Sequence, residues 1–121
     1  MPTATVRGHE IHYRTDGDEG PPIVMVHGVP TNSSQWEPIQ DLLSPYFRTY
    51  AIDLVGMGKS DKPLDDWEYT WENDSHIIAE LMDEWGHDSM IVAGDDWGGG
   101  IALDFAARYP DRTDICVAVD P

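Results

Sequence analysis

Four short strand-forming runs, Ile23-Val24-Met25-Val26, Phe47 to Ile52, Met90-Ile91-Val92-Ala93 and Asp114 to Val119, recur at intervals long enough to hold a helix between them. This spacing limits the fold more than any other feature. A continuous apolar run buries both faces of a strand, as in a parallel sheet covered on each side, and parallel neighbours need a crossover of helix length. The intervening segments meet that need. Gln35 to Leu43 reads as a helix with Asn32, Ser33 or Ser34 available as its cap. Tyr69 to Trp85 places Ile77, Ile78, Leu81, Met82 and Trp85 at helical spacing, opposite Glu80, Asp83 and Glu84, and Gly86 stops it. Trp97 to Arg108 reads as a third helix, ended near Pro110. Upstream, ATVRGHEIHYRT reads as two short strands around Gly8, followed by the turn-rich DGDEGPP. The expectation is an α/β chain: a mostly parallel sheet, right-handed crossovers and helices on both faces.

Composition narrows what such a chain can bind. At 121 residues and 40% hydrophobic it holds one core, so residues 1–121 read as one unit without a linker or repeat. Its 23 acidic against 7 basic side chains give a net charge of −16, and only two residues are lysine. Nucleic acid and anionic membranes are bound by clustered Lys and Arg, so both are excluded as expected partners. No apolar run approaches the roughly 20 residues of a membrane helix, and the N-terminus lacks a secretory apolar stretch, so a soluble cytoplasmic protein is expected. The charge is uneven, with ten acids between Asp61 and Asp88. That run reads as a solvated face outside the sheet and away from the chemistry, and its excess of Asp with little Lys suits a salt-adapted, halophilic surface. The single Cys116, within ICVAV, reads as a small buried thiol, with neither an internal disulfide nor a thiolate zinc cluster available to it.

In a sheet of this kind, chemistry belongs at the carboxyl ends of the strands. Three segments fall there. Gly94-Asp95-Asp96-Trp97-Gly98 joins the strand ending at Ala93 to the helix read over Trp97 to Arg108, in the pattern Gly-x-nucleophile-x-Gly. Small residues on both sides let the chain turn sharply and push Asp96 into the site, while the helix N-terminus favours an ionised carboxylate. Asp95 and Asp96 are also residue types that cap helices, so the nucleophile reading rests on the glycine frame and the strand before it. His27-Gly28-Val29-Pro30 follows the first apolar strand, where a backbone N–H forms half of an oxyanion hole in hydrolases of this layout. Asp53-Leu54-Val55-Gly56-Met57-Gly58-Lys59-Ser60 contains Gly-Lys-Ser after a strand, but Asp53 replaces the first glycine of a phosphate-binding loop. Asp61-Lys62-Pro63 also intervenes where that loop's helix must begin.

Together these segments, with Thr31-Asn32-Ser33-Ser34-Gln35-Trp36, Asp61-Lys62-Pro63 and Gly99, resemble the α/β-hydrolase superfamily, in its branch of haloalkane dehalogenases and epoxide hydrolases. The resemblance spans nearly the whole chain in the family's order. It implies an α/β-hydrolase core, read here as cut before the cap and last strands, a small-molecule substrate, and no cofactor or metal. It also implies that Asp96 attacks an electrophilic carbon to form an alkyl ester. Trp97, by its indole and backbone N–H, and the backbone N–H of Val29 would then face the leaving group or oxyanion. Haloalkane dehalogenation is the reaction most resembled, with epoxide hydrolysis as the alternative.

Two residues depart from the pattern. Val29 stands where many dehalogenases carry a halide-orienting Asn or Glu, which favours an epoxide or simple ester. Asp95 replaces a usual histidine and is expected to point to solvent. The family also runs nucleophile, acid, histidine in chain order. Here His9, His12, His27, His76 and His87 all precede Asp96, with His27 structural by resemblance and the rest read as structural or solvated. Asp120 is read as ending the last strand. The chain alone is therefore expected to alkylate Asp96 without turnover, or to be a non-catalytic interaction protein. Its last strand is expected to be an open edge that pairs with a complementary chain or with itself.

Overall fold

The computed structural model describes residues 2–65 and 67–120, which leaves Met1, Pro121 and the last residue of the Asp53-to-Asp66 loop outside the description. β1 (Thr3–Val6) and β2 (His9–Asp16) form an antiparallel hairpin turned by Arg7 and Gly8. β3 (Pro22–Val26), β4 (Arg48–Ile52), β5 (Met90–Asp95) and β6 (Thr113–Val119) are mutually parallel, and β2 joins them antiparallel to β4. The sheet order is β1-β2-β4-β3-β5-β6, so the first apolar run becomes the strand flanked by β4 and β5, and β6 forms an edge.

Alternation along the strands explains the layering. Val24, Val26, Ile52 and Val92 point to one face, packed beneath α2 (Trp71–Trp85) and α3 (Trp97–Arg108) through Ile77, Ile78, Leu81, Met82, Ile101 and Phe105. Ile23, Met25 and Ala51 point to the other, where Trp36, Leu43 and Phe47 cover them beside α1 (Glu37–Leu43). Each fully buried aliphatic side chain contributes about 1.5–3 kcal/mol, so the α2–α3 face dominates the hydrophobic term.

Helix boundaries follow local chemistry. The first helix, read from Gln35, is instead a 3-10 turn over Ser33–Trp36 followed by α1, because Pro38 falls in the first turn of α1. Among its three candidate caps, Asn32 accepts a bond from the Ser34 N–H at 2.9 Å. The second begins at Trp71 and not Tyr69, because the Thr70 hydroxyl takes the Asn73 N–H and stays extended. It stops at Gly86, as the sequence indicates, with φ of 80°. The fourth strand starts at Arg48, Phe47 packing beneath the sheet, and the last starts one residue early, at Thr113. Asp120 follows the end of β6, in keeping with its reading as a terminator. Cys116 is half-buried, with its thiol pKa raised by burial, and not fully enclosed as its apolar setting suggests.

Arg112 fastens the end of α2 to the sheet. Its guanidinium donates to the carbonyls of Asp88 at 2.9 Å, Ala79 at 3.2 Å and His87 at 2.9 Å, and pairs with Asp83 at 2.9 Å. A cation here also meets the negative end of the helix dipole. Arg112→Met removes all four contacts and is expected to lower stability by about 2 kcal/mol in urea unfolding.

Candidate active site

Asp96 is the single residue between the end of β5 and the start of α3. It adopts φ 56° and ψ −119°, a conformation that costs a non-glycine residue roughly 1–3 kcal/mol. The strain is pinned on both sides. The Asp96 N–H donates to the Val119 carbonyl at 2.9 Å, and its carbonyl accepts from Gly99 at 2.9 Å and Gly100 at 3.2 Å. Only glycine fits around it: a methyl group at Gly94 would overlap the Gly98 carbonyl, and one at Gly98 would overlap the carbonyls of Val26 and His27.

The Asp96 carboxylate is exposed, and its hydrogen bonds come from the main chain. The backbone N–H of Trp97, and then that of Val29 at 3.2 Å, hold its pKa below the usual carboxylate value. The three residues read from the sequence, Asp96, Trp97 and Val29, thus converge at one point. An ionised carboxylate rests there against two main-chain donors of the kind that can also bind an anion. Beside them is a cavity of about 240 Å3 lined by Val29, Leu54, Val55, Met57, Tyr69, Asp74 and Trp97. The Trp97 ring, 38% exposed, meets the edge of Trp71 at 5.4 Å, and Trp71 itself packs on Gly100.

Two carboxyls behave differently from their sequence reading. Asp95 does not point free to solvent: its Oδ2 accepts from the Gln35 Nε2 at 2.7 Å. The Gln35 Oε1 in turn accepts from the Gly28 N–H at 3.1 Å and the Thr31 hydroxyl at 2.6 Å. One side-chain amide therefore ties the loop carrying the Val29 donor to the strand end carrying Asp96. Asp74 corrects the placement of the acidic run. That run does not lie wholly away from the elbow, because Asp74 is 6% exposed and lines the same cavity as Val29 and Trp97. Burial pushes its pKa up to about 7. Neither residue was given a role from the sequence: Gln35 was one member of the segment Thr31 to Trp36, and Asp74 was one acid among ten.

The histidines are committed elsewhere. Within the buried His27, Nδ1 bonds the Gly28 carbonyl at 2.7 Å and Nε2 accepts the Leu54 N–H at 3.1 Å, so both nitrogens are used. Burial lowers its pKa, which keeps the ring neutral in a structural role. His12 bonds Asp53 at 2.9 Å, His76 bonds the Tyr109 hydroxyl at 2.5 Å, His87 bonds the Tyr50 hydroxyl at 2.9 Å, and His9 packs against Trp67. The Gly-Lys-Ser segment is likewise spent internally. The Lys59 N–H donates to Asp53 at 3.0 Å, and the Ser60 hydroxyl donates to the Asp53 carbonyl at 2.6 Å. Asp53 also accepts from the Ser33 N–H at 2.7 Å.

Fold, elbow and donor loop together define a class of protein, and comparison with known proteins agrees. Residues 21–121 match the family described as the alpha/beta hydrolase fold. The chain is 36% identical over 118 residues to a soluble epoxide hydrolase of Corynebacterium sp. (strain C12), covering 97% of this chain and 40% of that one. It is 36% identical over 114 residues to a haloalkane dehalogenase of Agrobacterium fabrum, covering 94% and 36%. The crystal structure of a haloalkane dehalogenase loop variant from Bradyrhizobium elkanii superposes with a TM-score of 0.83 at 34% identity, covering 93% of this chain and 37% of that chain. The chain belongs to the α/β-hydrolase family, and it spans well under half the length of the curated relatives it matches. No helix among the described residues is long and apolar enough to cross a membrane.

Two outcomes follow from the network. Burial works to raise the Asp53 pKa, but the N–H groups of Lys59 and Ser33, with Ser33 and His12 side-chain contributions, outweigh it and bring the value below 3.8. A depressed folded-state pKa contributes stability above the unfolded value that is lost as pH falls through the folded one. Asp53→Asn is therefore expected to cost about 3 kcal/mol at pH 7 and to flatten the acid limb of the stability profile, read by denaturant titration from pH 2 to 7. Gln35→Leu leaves the Gly28 N–H and Asp95 unpaired and is expected to cost about 1–3 kcal/mol, with the Val29 amide resonance shifting in a nitrogen–proton correlation spectrum.

Proposed function

We propose that Asp96 is the nucleophile of a hydrolase acting on small organic electrophiles, haloalkanes or epoxides, through a covalent alkyl ester. The observation that carries this reading is the ionised Asp96 carboxylate, held at a strained strand-to-helix turn against the N–H groups of Trp97 and Val29. A carboxylate needs no base to attack carbon, because it is already anionic at neutral pH. Its in-line displacement would leave a halide or alkoxide in the cavity beside the Trp97 ring. The small, largely apolar lining suits a substrate whose only reactive feature is its electrophilic carbon. Support from relatives is of the same kind: the similar chains include an epoxide hydrolase and a haloalkane dehalogenase by name. With both His27 nitrogens occupied, no described histidine is free beside Asp96 to activate water, so in residues 1–121 taken alone the ester is expected to persist once formed.

Incubation with excess 1-bromohexane or 1,2-epoxyhexane, followed by intact mass measurement and peptide mapping, is expected to show one alkyl group per chain, on Asp96. Asp96→Asn is expected to reduce labelling by at least about 100-fold. Labelling that survives in Asp96→Asn removes the nucleophile assignment. Product exceeding one equivalent per chain removes the persistent ester.

A further inference from the structure

The proposed nucleophile stands next to the cavity through Val29 and Trp97, and a second carboxyl group, Asp74, lies in the cavity wall itself. Asp74 lies in the first turns of α2, 94% buried, and its side chain has no hydrogen-bond or ion-pair partner among the described residues. The described residues around it are Val29, Leu54, Val55, Met57, Tyr69 and Trp97, so among the described residues it is the one carboxyl of an otherwise apolar and aromatic lining. A helix N-terminus favours the carboxylate form, yet burial without a partner prevails here. The charged groups of the surrounding elements are turned to each other. Glu72 of α2 pairs with His76 of the same helix and with Arg108 of α3, which also holds Asp104. Asp53, on the loop side, is bound by His12, and Asp96 by the main chain. Tyr69, the remaining titratable group of the lining, donates its hydroxyl to the Pro63 carbonyl at 2.7 Å.

A cavity-wall carboxyl whose burial raises its pKa to about 7, and an ionised carboxylate whose backbone donors belong to residues of the same wall, form an acid and nucleophile pair, the arrangement in which different environments split two like groups into two roles. We propose that Asp74 is a catalytic proton donor to an oxygen atom of the substrate, which makes an epoxide the substrate class of this cavity in preference to a haloalkane. This rests on Asp96 being the nucleophile. An Asp96 oxygen forms a bond to one ring carbon, and the carbon–oxygen bond of the ring breaks with its electron pair staying on oxygen. That oxygen takes the Asp74 proton. The result is a hydroxyalkyl ester on Asp96 and a carboxylate at Asp74, with atoms and charge balanced. A halide departs as a weak base and needs no proton, so an acid in this position serves only an oxygen leaving group.

Matched probes separate the two readings. The rate of Asp96 labelling is measured by intact mass with 1,2-epoxyhexane and with 1-bromohexane, in the unmodified chain and in Asp74→Asn, each first checked for a native amide spectrum. Asp74→Asn is expected to slow epoxide labelling about 100-fold and to slow bromoalkane labelling at least about 10-fold less than that. In the unmodified chain, where no substitution can disturb folding, the ratio of epoxide to bromoalkane rates is expected to fall as pH rises from 6 to 9 and Asp74 ionises. A ratio flat with pH, or equal effects of Asp74→Asn on both probes, overturns the proton-donor role while leaving Asp96 as nucleophile. Absence of label from both probes in the folded chain overturns the nucleophile and the proton donor together.

Discussion

Three stretches of main chain approach so closely at the end of β3 and β5 that side chains are excluded between them. Gly94, Gly98 and Gly28 mark the contact: added methyl groups at the first two would overlap carbonyls, and one at Gly28 would come within 2.8 Å of the Asp96 Cβ. Everything at the site depends on this approach. It lets α3 begin immediately after β5, throws Asp96 into a left-handed conformation, and carries the Val29 N–H to the carboxylate. The strain of roughly 1–3 kcal/mol at Asp96 is offset by three main-chain hydrogen bonds to Val119, Gly99 and Gly100, each worth about 1 kcal/mol. The geometry is thus held by backbone.

Charge at the site is arranged by three different devices. Main-chain donors keep Asp96 ionised while it remains exposed. A network of N–H groups and His12 does the same for Asp53, although that residue is buried, and so locks the loop after β4 to the turn before α1. Burial without partners does the opposite for Asp74. Asp95 is held by the neutral amide of Gln35, so it adds no second free carboxylate beside Asp96.

The strand and helix framework was legible because consecutive apolar residues and helical spacing report burial directly, as Val24 and Ile78 do. The elbow was legible because glycine on both sides of one residue has a steric meaning that does not depend on distant chain. What escaped were features made by tertiary contact. Whether Asp74 faces solvent or a cavity depends on where α2 packs against the loop of Leu54 to Met57, and an acidic run looks the same in either case. Gln35 acquires its role from Asp95, sixty residues away, and neither residue type signals the other. Helix starts at Trp71 and Glu37 each shifted by two residues because the Thr70 cap hydroxyl and Pro38 act at single positions that periodicity does not resolve.

Val29 has a double character. Its N–H faces the carboxylate, while its side chain, 47% exposed, forms part of the cavity wall. The proposed chemistry would use only the peptide group, which every residue except proline provides, whereas the shape of the wall depends on the side chain alone. On that proposal, changes at this codon would alter what the cavity accepts without touching the backbone donor. Selection for a new substrate and selection to keep the reaction would then act on separate atoms of one residue.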